Sequence, residues 1–191
     1  MIIGVTGIFS SGKSTVSGIL GSCGYKIINA DKVGHAVLNK EDIKNKVIKE
    51  FGSSILTDDK IDKKKLKKIV FYDRRKLVKL NKIIHPRIIG EIKKIIKSSK
   101  NKKIVVDAAL LIETNALKLV DKLIIVKIDK EVAVKRALKK NKYALNEIKN
   151  IFQSQLSQKE KLKYSDEIVD NSKSEAYTKK QVKKLIYKWQ K

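Results

Sequence analysis

The stretch GIFSSGKST, residues 7–15, decides how this chain is read. It fits G-x-x-x-x-G-K-[ST] in full, with Gly7, Gly12, Lys13 and Ser14 at the fixed positions. Glycines permit backbone conformations that turn successive N–H groups inward, and a helix that follows adds free N–H groups and a positive dipole end. In such a loop Lys13 reaches the β- and γ-phosphates of a nucleotide, and the Ser14 hydroxyl is a ligand for Mg²⁺. The flanks agree: Ile2 to Thr6 reads as a short buried strand and Lys13 to Gly21 as a helix. The whole loop, Ser10, Ser11 and Thr15 included, is expected to hold nucleotide phosphates.

Outward from the loop, further strands are predicted at Tyr25 to Asp31, Ile104 to Asp107, Lys122 to Ile128 and Asp166 to Asn171. No clear strand is predicted from about Lys32 to Lys100, where helical periodicity takes over. Ile43, Val47, Ile48 and Phe51 share one face, Leu77, Leu80, Ile83 and Ile84 a second, and Ile88, Ile89, Ile92, Ile95 and Ile96 a third. Pro86, the only proline, suits the first turn of that third helix. A basic helix is expected around Val132 to Lys140, two polar helices between Glu147 and Tyr164, and a last helix with Val182, Leu185, Ile186 and Trp189 docked on the core. Strands alternating with helices predict an α/β fold, a doubly wound parallel five-stranded sheet whose ligands gather at the carboxyl ends of the strands.

Two acids fall at those ends. Asp107 closes the apolar run Ile104–Val106, where an acid holds Mg²⁺ directly or through water. Asp31 follows the second strand, where a carboxylate can orient an acceptor hydroxyl and take its proton. A guanine-reading N-K-x-D is missing, since NKII and NKYA both lack the final acid. A small-molecule kinase is therefore favoured over a GTPase.

The formal net charge is +25, yet only four of the 45 basic residues are arginines: Arg74, Arg75, Arg87 and Arg136. Readers of nucleic acid draw on the bidentate Arg fork, so the lysines read as solvated helix faces. Four arginines are also few for clamping the phosphate of a nucleoside monophosphate acceptor. No run of about 18 apolar residues predicts a membrane span. Cys23, the only cysteine, excludes an internal disulfide and fits a reducing cytoplasm.

Taken in order, GVTGIFSSGKST, IINAD, IIHPRI, VVDAALLIE and SQ…SDEIVDN resemble the dephospho-coenzyme A kinase family from residue 3 to about 171. The resemblance implies ATP-dependent phosphorylation of the 3′-hydroxyl of dephospho-CoA, the last step of coenzyme A synthesis. Mg²⁺, a cytoplasmic location, a monomer and no specific nucleic-acid or membrane partner are the accompanying expectations. It implies a P-loop core (1–31, 101–131 and 165–191), a helical substrate domain (32–100) and a lid (132–164). Asp31 matches the catalytic acid, with Lys13 and Arg136 beside it in catalysis. Ser14 and Asp107 are the implied metal residues, and Lys140 and Asn171 join the loop in holding ATP. Asp31, His35, His85, Leu110, Leu111 and Glu113 are the implied substrate side. The chain departs from the family at Ile8, Phe9 and Ser10, where the loop usually reads G-G-I-G-S-G-K-S. Asn29 opens the usual D-A-D, Ala109 replaces a proline, and Lys140 replaces a lid arginine. Two rivals remain: another P-loop small-molecule or nucleotide kinase, and a basic nucleic-acid-binding NTPase.

Overall fold

The computed structural model describes residues 1–70, 73–139 and 144–190. The chain forms two compact units, Met1–Asn29 with Ser99–Lys191, and Ala30–Ser98.

The first unit is built on five short strands. The middle three are apolar almost without alternation, as burial on both faces requires, while the two edge strands leave Ile27 and Ile168 exposed. The five are β1 (Ile2–Thr6), β2 (Lys26–Asn29), β5 (Ile104–Asp107), β6 (Lys122–Lys127) and β7 (Glu167–Asp170), where β3 and β4 lie in the second unit. Their order is β2-β5-β1-β6-β7, and every pairing is parallel. The strand that feeds the glycine loop is thus central. Its side chains Ile3 and Val5 are fully buried. Helices α1 (Lys13–Ser22) and α9 (Glu175–Gln190) contribute Val16, Ile19, Leu20, Val182 and Ile186 to that core, with Cys23, Leu185 and Trp189 packed against it. A second cluster joins Ile8, Ile128 and Ala133 with Val132 and Phe152. It draws on α6 (Lys130–Lys139) and α7 (Leu145–Gln153), and α8 (Gln158–Leu162) follows them.

The second unit holds α2 (Ala30–Leu38), α3 (Glu41–Phe51), β3 (Leu56–Thr57), β4 (Lys60–Ile61), α4 (Lys63–Val70) and α5 (Arg74–Ser98). Val37, Ile43, Val47, Ile55, Leu66 and Leu80 lie at its centre. Three expectations are corrected here. The interval is not free of strands: β3 and β4 form an antiparallel hairpin. Its turn, Asp58-Asp59, has both residues at positive φ (48° and 56°), as a two-residue I′ turn demands. Pro86 does not open a helix but sits inside α5, which runs unbroken for 25 residues. A mid-helix proline costs a backbone hydrogen bond; Leu77, Leu80, Ile83 and Ile84 before it and Ile88 after it all pack on the same core, which offsets that loss. Finally, β2 ends at Asn29, and Asp31 lies in the first turn of α2. There its negative charge is favoured by the helix dipole.

Candidate nucleotide-binding site

The loop expected to hold phosphate does lie between β1 and α1, and its geometry explains its residue choices. Gly12 has φ 86°, the left-handed region that disfavours any side chain. A Cβ there would stand 2.0 Å from Asn171 Nδ2. Gly7 is excluded from change by crowding: a Cβ would meet the Val126 carbonyl oxygen and Ser11 Oγ, both at 2.6 Å. Lys13 Nζ lies back across the loop, 3.4 Å from the Gly7 carbonyl oxygen and 3.3 Å from that of Ile8. Ser11 Oγ is buried without a hydrogen-bond partner, an orphaned polar atom inside the cradle. Such an atom, the inward lysine and the exposed Ser14 fit a bound polyphosphate.

The Ile8-Phe9-Ser10 half of the loop is anchored rather than loose. Ile8 is buried against Ile128 and Ala133. The Phe9 ring meets Phe152 edge-on, with centroids 6.2 Å apart and planes at 80°. Ser10 adopts φ 60°, a rare conformation for a residue with a side chain.

A cleft of about 390 Å³ opens beside the loop, lined by Ser10, Gly12, Thr15, Arg136, Lys139, Asn171 and Glu175. It gathers the loop with Arg136, half-buried on α6, and with Asn171 at the end of β7. Lys139 was not among the sequence candidates; its signal is a cation three residues beyond Arg136 on one helix, facing the same way. Lys140 lies outside the described residues. Asn171 is 4% exposed and serves as a brace: its Nδ2 donates to the Ser11 carbonyl oxygen (2.8 Å), and its Oδ1 accepts from the Thr178 hydroxyl (2.7 Å).

Asp107 is buried at the end of β5, in register with Val5 of β1. Beyond it the segment 108–113 turns inward. Leu110 is half-buried, while Leu111 is fully buried and presents no surface to a ligand. Glu113 Oε1 accepts from Lys161 Nζ (2.7 Å) and from the Leu156 N–H (2.9 Å). Lys161 has no exposed surface and also donates to the Ala109 carbonyl oxygen (2.9 Å). Burial pushes its ammonium below the ordinary lysine range, against the pull of the Glu113 carboxylate. Among the described residues no three His, Cys, Asp or Glu side chains converge as a metal cage. Ser14 and Asp107 suit the alternative manner of holding Mg²⁺, one or two protein groups completed by phosphate oxygens and water.

In the second unit, Asp31 and His35 are both exposed, one turn apart on the same face of α2. His85 lies half-buried in the middle of α5. Nearby, burial pushes the Glu91 carboxyl up, but the hydrogen bond from Lys40 (2.9 Å) outweighs it, with Arg87 and Lys94 adding to the downward shift. Glu91 thereby ties α3's approach to α5. Among the described residues no helix is long and apolar enough to cross a membrane.

The chain was compared with known families, sequences and structures. The family model described as dephospho-CoA kinase matches residues 1–176. A dephospho-CoA kinase of Carboxydothermus hydrogenoformans is 42% identical over 193 residues, covering 98% of this chain and 94% of that protein. One of Fusobacterium nucleatum is 40% identical over 173 residues, 90% of each chain. The solved dephospho-CoA kinase from Campylobacter jejuni superposes with a TM-score of 0.72 at 32% identity, covering 98% of this chain and 96% of that one. Full-length similarity of sequence and fold thus agrees with the phosphate loop, the parallel sheet and the order of motifs along the chain, which belongs to the dephospho-CoA kinase family.

Proposed function

We propose that this chain transfers the γ-phosphoryl group of ATP to the 3′-hydroxyl of dephospho-CoA, giving coenzyme A and ADP. The observation that carries the reading is the complete phosphate loop, with its orphaned Ser11 hydroxyl and inward Lys13, in a chain of this family. In the transfer the bond from γ-phosphorus to the β,γ-bridging oxygen breaks and a bond to the ribose 3′-oxygen forms. The displaced hydroxyl proton goes to the Asp31 carboxylate and then to water. Lys13 neutralises charge on the β- and γ-phosphates, and Arg136 with Lys140 adds cations from the 132–164 segment, read as a lid. Ser14 and Asp107 would hold Mg²⁺, which when bound would supply charge neutralisation at the phosphate oxygens.

His35 shares its helix face with Asp31 and serves the acceptor's side, as do His85 and Leu110. Leu111 and Glu113 support that segment from within, since one is buried and the other is held by Lys161. The protein works in the cytoplasm as a monomer on a small-molecule substrate. The experiment is ADP release measured with dephospho-CoA beside a panel of nucleosides, nucleotides and RNA. Turnover with dephospho-CoA is expected. Turnover only with a nucleotide, or ATP hydrolysis stimulated by RNA with steep salt dependence, would replace the proposal with one of its rivals.

A further inference from the structure

Ser10, the residue in the rare left-handed conformation, stands between two side-chain clamps. On its C-terminal side, Asn171 holds the Ser11 carbonyl oxygen, and the Thr178 hydroxyl fixes which way the Asn171 amide faces. On its N-terminal side, the Phe9 N–H donates to Gln155 Oε1 at 3.1 Å, while the Phe9 ring rests on Phe152. The second clamp is itself anchored. Leu156, next to Gln155, donates its N–H to Glu113, which is held by the buried Lys161. Gln158 Oε1 accepts the N–H of Ile128, just past β6 (2.9 Å). Residues 155–161 therefore touch the loop after β1, the turn after β5 and the end of β6.

We infer that Gln155 is a positioning residue for ATP. It grips the Phe9 N–H and so keeps Ser10 left-handed, presenting the loop's remaining N–H groups to phosphate already aimed. A glycine would take this conformation freely; a serine is strained in it and is held by the side chains around it. Phe152 shares the task by fixing the Phe9 ring. The inference rests on the ATP-loop part of the proposed function and is independent of the acceptor.

The test is a cycle between Gln155→Met, which keeps length but lacks the acceptor oxygen, and Ser10→Gly, which removes the strain. ATP affinity is titrated directly by calorimetry without any acceptor, and thermal midpoints are recorded alongside. Losing one such hydrogen bond is expected to weaken ATP binding about 3- to 10-fold. In the Ser10→Gly background the same substitution is expected to cost less than about twofold, because the held conformation no longer needs holding. KM for the acceptor stays level. Phe152→Leu gives the same pattern and serves if Gln155→Met does not fold. Equal loss in both backgrounds, or no loss in either, overturns the inference while leaving ATP binding intact. Failure of the parent chain to bind ATP overturns the nucleotide reading itself.

Discussion

Gly12→Ala perturbs the loop in two separable ways. An alanine at φ 86° carries left-handed strain of about 1–2 kcal/mol. Its Cβ, 2.0 Å from Asn171 Nδ2 and 3.2 Å from Cγ, also evicts the Asn171 side chain. Eviction breaks the bonds to Ser11 and Thr178, each about 0.5–1.5 kcal/mol net. The sum is about 2–5 kcal/mol against the binding-competent loop, or roughly 30-fold to a few thousand-fold in ATP affinity. Calorimetric titration of Gly12→Ala, Asn171→Ala and the pair separates the parts. Asn171→Ala alone loses the two bonds, about 1–3 kcal/mol. The pair should cost less than the sum of the singles, since the clash vanishes when Asn171 is gone. Gly12→Ala binding ATP within about threefold of the parent, or fully additive losses, would refute the reasoning.

Other expected outcomes concern separate parts of the molecule. Asp31→Asn keeps ATP affinity within about threefold and lowers kcat about 10²–10⁴-fold, the usual contribution of a positioned base; near-parental turnover of dephospho-CoA removes Asp31 from that role. Lys13→Ala lowers kcat/KM about 10²–10³-fold, read in the same coupled assay. Lys161→Met leaves the Glu113 carboxylate without its cation and costs about 2–4 kcal/mol in urea unfolding, somewhat below a fully buried pair because the Glu113 side chain is 19% exposed. At Asp170, burial pushes the carboxyl up, but hydrogen bonds from the Ser172 N–H and hydroxyl, with Lys127 and Lys173 nearby, hold it below the usual range. A lowered folded value contributes stability fully above the unfolded pKa of about 3.9 and loses it as pH falls through the folded one. The gap between the urea midpoints of parent and Asp170→Asn should therefore be widest at pH 6 and shrink as pH falls below about 3.9; a gap that does not change assigns the effect elsewhere.

What could be read in the sequence was local. The loop spacing, the apolar strands and the parallel alternation are patterns within a few residues, and the sheet they predict is the one found. Asp58-Asp59 between Leu56 and Ile61 was a legible turn signal, missed because each strand is two residues long. Pro86 misled because its helix is stabilised by packing, which a local rule does not register. Thr178 and Lys161 carried no local signal at all. Gln155 reaches a loop 146 residues away, and Lys161 a carboxylate 48 residues away. Glu113 pointed to chemistry by its place in a motif, yet its oxygen is engaged inside the protein.

The central place of β1 also sets an order of events during synthesis. Its partners, Ile104–Asp107 and Lys122–Ile125, follow it by about a hundred residues. The Asn171 clamp on its loop arrives 160 residues after the serine it holds. Residues 30–98, by contrast, contain their own core and hairpin. At elongation rates of about 5–20 residues per second, the apolar β1 waits about 5–20 s for its first partner, and that unit is complete just before the partner is made. The nascent chain thus carries an unpaired adhesive segment until its partner strands are made, and the clamp that steadies its loop comes only with Asn171.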